Sequence, residues 1–343
     1  MGLPDASDSR LAALTRWVFD DLGFAGSRIE PASVDASFRR YFRVTRGEDT
    51  YIAMDAPPEK ENLGPFLSVA RLLLGIGLNV PMILASHPER GFLLLSDLGR
   101  RQYLDELGVD GAVDPLYADA LGALSAMQTA GAMARDLPPY GHALLMREME
   151  LMPTWFLREH LRLQVSSAER GMLDRLFEML AQSALEQPAT FVHRDYHSRN
   201  LLVTSTNNPG ILDFQDAVLG PVTYDLVSLL KDCYIAWPAA RVRAWALQHR
   251  ERLLAKGFHL EASEAKFMHW FDLVGLQRHI KVLGIFARLY YRDGKAQYLK
   301  DLPRVLRYTR EVAEGCAEMA QFADFIAKRI EPEFRSAQER ALA

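Results

Sequence analysis

His193-Arg194-Asp195-Tyr196-His197-Ser198-Arg199-Asn200, followed thirteen residues after Asn200 by Asp213-Phe214-Gln215, is the stretch that decides how this chain folds. Between the two segments, Leu201-Leu202-Val203 and Ile211-Leu212 flank Asn207-Asn208-Pro209-Gly210, a strong turn signal. The intervening residues therefore read as a β-hairpin, and a hairpin of short strands brings its two ends together. Asn200 should face Asp213. One amide oxygen and one carboxylate at such a mouth suit Mg²⁺, a hard cation that takes few protein ligands and fills its shell with phosphate and water. Asp195, five residues before Asn200, falls at the rim, where it can accept a hydrogen bond from an incoming hydroxyl. Capping and turn duty alone is the blander reading of His193, Asp195 and Asn200. It leaves the joint spacing with Asp213 unexplained.

Working outward, Leu11, Leu14, Trp17, Val18 and Leu22 recur at helical spacing, and Gly23 and Gly26 end that helix. Phe38, Tyr41, Phe42 and Val44, then Thr50 to Met54, straddle the polar turn Arg46-Gly47-Glu48-Asp49 and predict a hairpin, closed by Pro57-Pro58. Residues 63–75 return to helical period, and Val80–Leu84 and Gly91–Leu95 have strand length. The first hundred residues thus read as a small sheet carrying a helix. From Asp97-Leu98-Gly99 onward the pattern is mostly helical apart from residues 190–215, with a long helix over Phe267–Tyr291.

The chain has 343 residues, more than one hydrophobic core usually organises, so two packed lobes are expected. Apolar residues at 49% and charged residues at 24% are those of an ordinary globular protein, and a net charge of -4 provides no general basic field for nucleic acid or anionic membrane. Two cysteines, Cys233 and Cys316, lack metal-type spacing and exclude a disulfide framework. No secretory leader or membrane-spanning run is legible, and a cytoplasmic protein is expected. The oligomeric state is not legible; a monomer is the expectation.

His193 to Asn200 matches the kinase catalytic loop H-R-D-x-x-x-x-N, and Asp213-Phe214-Gln215 stands where kinases carry D-F-G. Four stretches extend the likeness: Asp35-Ala36-Ser37-Phe38-Arg39-Arg40-Tyr41-Phe42-Arg43, Met54-Asp55-Ala56-Pro57-Pro58, Gly91-Phe92-Leu93-Leu94-Leu95-Ser96-Asp97-Leu98-Gly99 and Phe191-Val192-His193-Arg194-Asp195. On these the chain resembles the aminoglycoside phosphotransferase/choline kinase superfamily from about residue 30 to about residue 310. Within it, they resemble the bacterial anomeric kinases of N-acetylmuramate and N-acetylglucosamine that serve peptidoglycan recycling.

The resemblance implies an α+β, bilobal protein-kinase-like fold. A small sheet-plus-helix N-lobe, residues 1–97, would bind nucleotide, and a larger, mostly helical C-lobe, residues 98–343, would carry catalysis and substrate. It implies ATP and Mg²⁺ as cofactors, an amino sugar as the small-molecule partner, and transfer of the γ-phosphoryl to the C1 hydroxyl. Carried over by position, Asp195 is the catalytic base, Asn200 and Asp213 are the Mg²⁺ ligands, and Leu95, Ser96, Asp97 and Leu98 form a hinge against adenine. Asp225 would buttress the loop at His193, with a helix N-cap as its other reading.

Two departures matter. The glycine-rich phosphate loop is replaced by Ser37-Phe38-Arg39-Arg40, and the strand lysine is absent where Ile52-Ala53-Met54-Asp55 stands. Arg39, Arg40 and Arg43 are the cations expected to take over, since guanidinium groups suit bidentate phosphate contact. Gln215 in place of the third-position glycine suggests a constitutively formed metal site. On the acceptor side, Arg199, Gln277, Arg278 and Lys281, with His279 nearby, favour a neutral or anionic sugar over a cationic acceptor; Trp155, Trp237 and Trp270 are stacking candidates. The alternatives are an aminoglycoside, choline or homoserine kinase, a non-catalytic pseudokinase, and a zinc hydrolase built on His193, Asp195, His197 and Asp213.

Overall fold

The computed structural model describes residues 8–34, 38–109, 111–130, 134 and 136–342. Asp35, Ala36 and Ser37 of the resemblance lie outside the described residues. Helix α1 (Ser9–Arg16), capped by the Asp8 side chain, runs into a π-helical turn over Trp17–Asp21. Strands β1 (Arg28–Val34), β2 (Arg40–Arg46) and β3 (Asp49–Asp55) follow, then α2 (Leu63–Gly75), β4 (Ile83–His87) and β5 (Phe92–Ser96). They form one antiparallel five-stranded sheet in the order β1-β2-β3-β5-β4.

The β2–β3 hairpin turns over Gly47 and Glu48 with Arg46 opposite Asp49, and Gly47 takes the positive φ of 63° that such a tight turn requires. One face of the sheet is closed by Leu14, Trp17 and Val18 packing on Phe42, Val44, Ala53, Phe92 and Leu94. Strand β1 is absent from the sequence reading. It contains Pro31, which cannot donate to a ladder, and it survives because β1 is an edge strand with a register shift beside that proline. The run expected at Val80–Leu84 begins instead at Ile83, after Pro81, and Asn79 bridges Gly210.

Beyond the sheet lie α3 (Tyr103–Glu106), α4 (Val113–Thr129), α5 (His142–Met149), a π-helical run Met152–His160, and α6 (Ser167–Leu185). Two short ribbons interrupt the helices. Strands β6 (Ala189–Val192) and β9 (Val218–Pro221) pair with each other, and between them in sequence β7 (Leu201–Leu202) pairs with β8 (Gly210–Ile211). The chain ends in α7 (Tyr224–Leu230), α8 (Ala239–Ala255), α9 (Glu264–Tyr291), α10 (Leu302–Gly315), α11 (Ala320–Phe325) and α12 (Glu331–Leu342). The protein is therefore α+β, with its sheet in the N-terminal part and a mostly helical C-terminal part. Among the described residues no helix is long and apolar enough to cross a membrane.

The chain divides into two compact units. One joins Met1–Ala123 to Arg199–Asp216, and the other joins Leu124–Ser198 to Ala217–Ala343. The β7–β8 hairpin thus belongs with the sheet, which it joins through Val203 N–H to Arg101 O and Ile211 N–H to Asn79 O. In the helical unit α9 is the axis. Ser263 caps it, four residues before the apolar period begins at Phe267, and every residue from Leu273 to Gly284 is buried. A helix buried on all sides belongs at the centre of its unit.

Gly284 permits that centre to close. A Cβ added there would lie 2.3 Å from the carbonyl carbon of Leu151, a contact with backbone that cannot rotate away. Gly284→Ala should cost about 2–3 kcal/mol despite the better helix propensity of alanine, read as a lowered urea midpoint with unchanged slope.

Candidate active site

The sheet unit holds Asn200 and Asp213, the pair expected to take the metal. Asn200 immediately precedes β7 and Asp213 follows β8 after one residue, and Leu212 N–H donates to Asn200 O at 2.9 Å, closing the ladder at its open end. This brings Asn200 Nδ2 to 3.4 Å from Asp213 Oδ2. Asp213 sits at φ 63°, a left-handed conformation that aspartate tolerates better than most residues. Its neighbours hold it there: the buried Phe214 ring packs on Phe66 at 5.0 Å, and Gln215 Nε2 donates to Asp213 Oδ1 at 2.7 Å. Gln215 is thus a hydrogen-bond partner of Asp213. Arg39 Nη2 lies 3.7 Å from Asp213 Oδ1.

The three arginines of the phosphate reading separate. Arg40 is bound to Asp8 and to Asp55, with its Nε 3.1 Å from Asp55 Oδ2, and Arg10 Nε reaches the other oxygen of Asp55 at 2.9 Å. Arg43 is buried and grips Asp97 with Nε at 2.5 Å and Nη2 at 3.0 Å. Arg40 and Arg43 are therefore committed to carboxylates within the sheet unit, and Arg39 is the one beside the metal pair. Burial works to raise the Asp97 carboxyl, but Arg43 and the Gly99 N–H outweigh it and hold the group below the usual carboxylate range. Leu95 is buried in β5, Ser96 exchanges two bonds with Met82 across the strand end, and Leu98 packs beside Gly210.

The helical unit holds the loop that carries Asp195. Its entry is fixed by Asp225, fully buried in the first turn of α7, which accepts His193 N–H at 2.6 Å and Arg194 N–H at 3.0 Å. The N-cap position itself is Thr223, so Asp225 serves the loop and not the helix end. Asp232 fixes the exit by accepting Ser198 N–H at 3.0 Å and Ser198 O–H at 2.5 Å, a bond the sequence reading does not contain. Between them Arg194 adopts φ 77°, and Asp195 N–H donates to His193 Nδ1 at 3.3 Å. Burial pushes the Asp195 carboxyl up, but Lys281, His197, Arg194 and Arg278 together pull it below its ordinary value. It is an anion at neutral pH.

The α9 residues expected at the sugar are internal. Gln277 and His279 are fully buried, and Arg278 donates to Cys233 Sγ at 3.3 Å. His279 accepts a stacked Tyr308 ring and bonds Lys231 O at 3.1 Å. Lys281 Nζ lies 3.0 Å from Glu148 Oε1 and 3.1 Å from Tyr224 Oη. Arg199 is half-buried in the sheet unit. Trp270 is buried and bonded to Glu186, Trp237 packs edge-on against Trp245, and Trp155 is half-buried. Among the described residues no three His, Cys, Asp or Glu side chains gather as a metal site, which leaves the zinc arrangement without support.

The profile of the phosphotransferase enzyme family matches residues 28–264. The N-acetylmuramate/N-acetylglucosamine kinase of Pseudomonas aeruginosa is 48% identical over 297 residues, covering 87% of each chain. That of Pseudomonas putida is 45% identical over 332 residues, 94% of this chain and 97% of the relative. Among solved structures, the ADP-bound aminoglycoside phosphotransferase APH(2'')-Ib aligns over 88% of this chain and 98% of its own, with a TM-score of 0.56 at 15% identity. At that identity the likeness concerns the fold.

Asp225 gives a pH test. Burial, then the charge of Asp195, raises its carboxyl to about 7 against the two N–H bonds it accepts. The native protein therefore keeps a proton that the unfolded chain loses near pH 3.8. This contribution to stability is full below that value and is lost as pH rises through about 7. Asp225→Asn cannot ionise, so its melting temperature relative to wild type should climb between about pH 4 and about pH 7 and level off above that. A difference independent of pH would contradict the assignment.

Proposed function

This chain belongs to the phosphotransferase enzyme family, and we propose that it uses ATP and Mg²⁺ to phosphorylate the anomeric hydroxyl of N-acetylmuramate and N-acetylglucosamine. The observation that carries the reading is the Asn200–Asp213 pair at the hairpin mouth, in a chain whose relatives of that name align along most of their length. The donor set fits the ion, since a carboxylate and an amide offer hard oxygen ligands in the small number Mg²⁺ takes from protein. Asn200 and Asp213 would hold it, and its charge would neutralise the β- and γ-phosphate oxygens. Gln215 keeps the Asp213 carboxylate oriented.

Asp195 accepts the hydrogen bond of the acceptor hydroxyl and aims its oxygen at the phosphorus. Because the transition state of phosphoryl transfer is loose, that orientation matters more than removal of the proton. Arg39 supplies the phosphate-side cation that a strand lysine supplies elsewhere, and the backbone of Leu95 to Leu98 receives the adenine. Residues 1–97 then form the nucleotide lobe and 98–343 the catalytic and substrate lobe. Arg199 is assigned to the acceptor. Gln277, Arg278 and Lys281, buried as they are, act on it through the field they place around Asp195. We place the enzyme in the cytoplasm, where its nucleotide is made.

Two measurements test this. ³¹P NMR of the product from ATP and either sugar should show a phosphate coupled to the anomeric proton; a C4 or C6 phosphate would refute the position, and ADP release with neither sugar would refute the acceptor. Asp195→Asn should lose at least about 10²-fold in kcat while still binding nucleotide. Arg39→Ala should raise KM for ATP by about 10-fold with a smaller change in sugar KM, and equal effects on both substrates would remove Arg39 from the nucleotide side.

A further inference from the structure

We propose that Glu148 is a positioning residue of the phosphoryl-transfer loop, holding Lys281 and Arg194, the residue before Asp195, so that the loop presents Asp195 to the acceptor hydroxyl. The inference rests on the role given to Asp195 above. Glu148 lies one residue before the end of α5, 46 residues before Arg194 in the chain, and is buried. Its carboxylate accepts three donors: Arg194 Nη2 from the loop, Lys281 Nζ from α9 at 3.0 Å, and the Tyr140 hydroxyl. Lys281 also donates to the hydroxyl of Tyr224, the residue beside Asp225 at the start of α7. The Tyr140 and Tyr224 rings meet edge to face at 5.1 Å, with Arg194 over the first at 5.8 Å and Lys281 over the second at 5.7 Å. One carboxylate thus joins α5, α9 and the loop, and Lys281 extends the link to α7.

The charges explain why this position bears on turnover. Arg194 and Lys281 both act on Asp195, and each has Glu148 as its hydrogen-bonded carboxylate. With Glu148 neutral, Arg194 and Lys281 would lose the carboxylate they are bonded to, while both still act on Asp195. A buried cation seeks a paired, hydrogen-bonded anion, so Asp195 would turn its lone pairs to Lys281 or Arg194 and lose them for the acceptor. Glu148 prevents that capture. Burial raises the Glu148 carboxyl, but Lys281 and Arg194 keep it below the ordinary glutamate range, so it remains an anion for both.

The test measures ADP release by the full chain with and without amino sugar, together with the melting temperature. Glu148→Gln keeps shape and removes charge. Its kcat should fall about 10- to 100-fold with KM for ATP within about twofold, and Glu148→Asp should recover part of the loss. The double variant Glu148→Gln/Lys281→Met should be no slower than Glu148→Gln alone, because the two act on one path. A kcat within about twofold of wild type in folded Glu148→Gln, or losses that multiply in the double variant, overturns the proposal. If Glu148→Gln does not fold, Tyr140→Phe removes one donor and leaves every charge; a drop of about threefold in kcat supports the role and an unchanged kcat overturns it. Should wild type transfer to neither sugar, the acceptor reading fails, and the same comparison on sugar-independent ADP release still decides the role of Glu148.

Discussion

A buried carboxylate bonded to two consecutive backbone N–H groups is the constraint from which the catalytic loop takes its shape. Asp225 receives His193 and Arg194 at one end, and Asp232 receives Ser198 at the other. The intervening backbone includes an arginine at positive φ, a conformation that persists only where neighbours over-determine it. Both clamps are carboxylates that accept backbone hydrogen bonds, and the Ser198 hydroxyl adds a side-chain bond at the second, so the loop is held chiefly by its main chain. Aspartate in this role brings a cost, since burial works against its charge, and the two N–H bonds offset that in part.

The sheet unit solves a related problem with the opposite polarity. Its cations are set against carboxylates: Arg10 and Arg40 on Asp55, Arg43 on Asp97. The Arg43 pair links β2 to the segment just past β5, and the Asp55 pairs link α1 to β2 and β3. The Arg43–Asp97 pair is shielded from water, and removing Arg43 would leave Asp97 as a buried charge that costs several kcal/mol, whereas Arg10 and Arg40 stay about one-third exposed over the enclosed Asp55. They hold the edges around which a nucleotide site can be built without a glycine-rich turn.

Local chemistry was legible and tertiary chemistry was not. The β7–β8 hairpin and the meeting of Asn200 with Asp213 follow from turn residues and strand length, both readable within fourteen residues. The β2–β3 hairpin and α2 were legible for the same reason. Strand β1 was not, because an edge position excuses Pro31 and the run lacks alternation. Glu148 and Asp232 escaped because their bonds cross 46 and 34 residues, a separation no periodicity reports. The burial of Arg278 and Lys281 was not legible either: a charged residue on a helix usually marks a wet face, but α9 is buried throughout its middle and these charges are internal. The likeness to known kinases supplied the fold, yet the partners of each cation had to come from coordinates.

Asp55 carries a lesson for redesign. Its side chain ends β3 fully enclosed, near where the sequence lacks the strand lysine, and two guanidinium groups converge on it. Restoring an ammonium at that spot by one codon change would assemble three like charges in a dry enclosure. Exchanging one arrangement for the other must therefore change Arg10, Arg40 and Asp55 together, because changing Asp55 alone would leave both guanidinium groups facing a third cation.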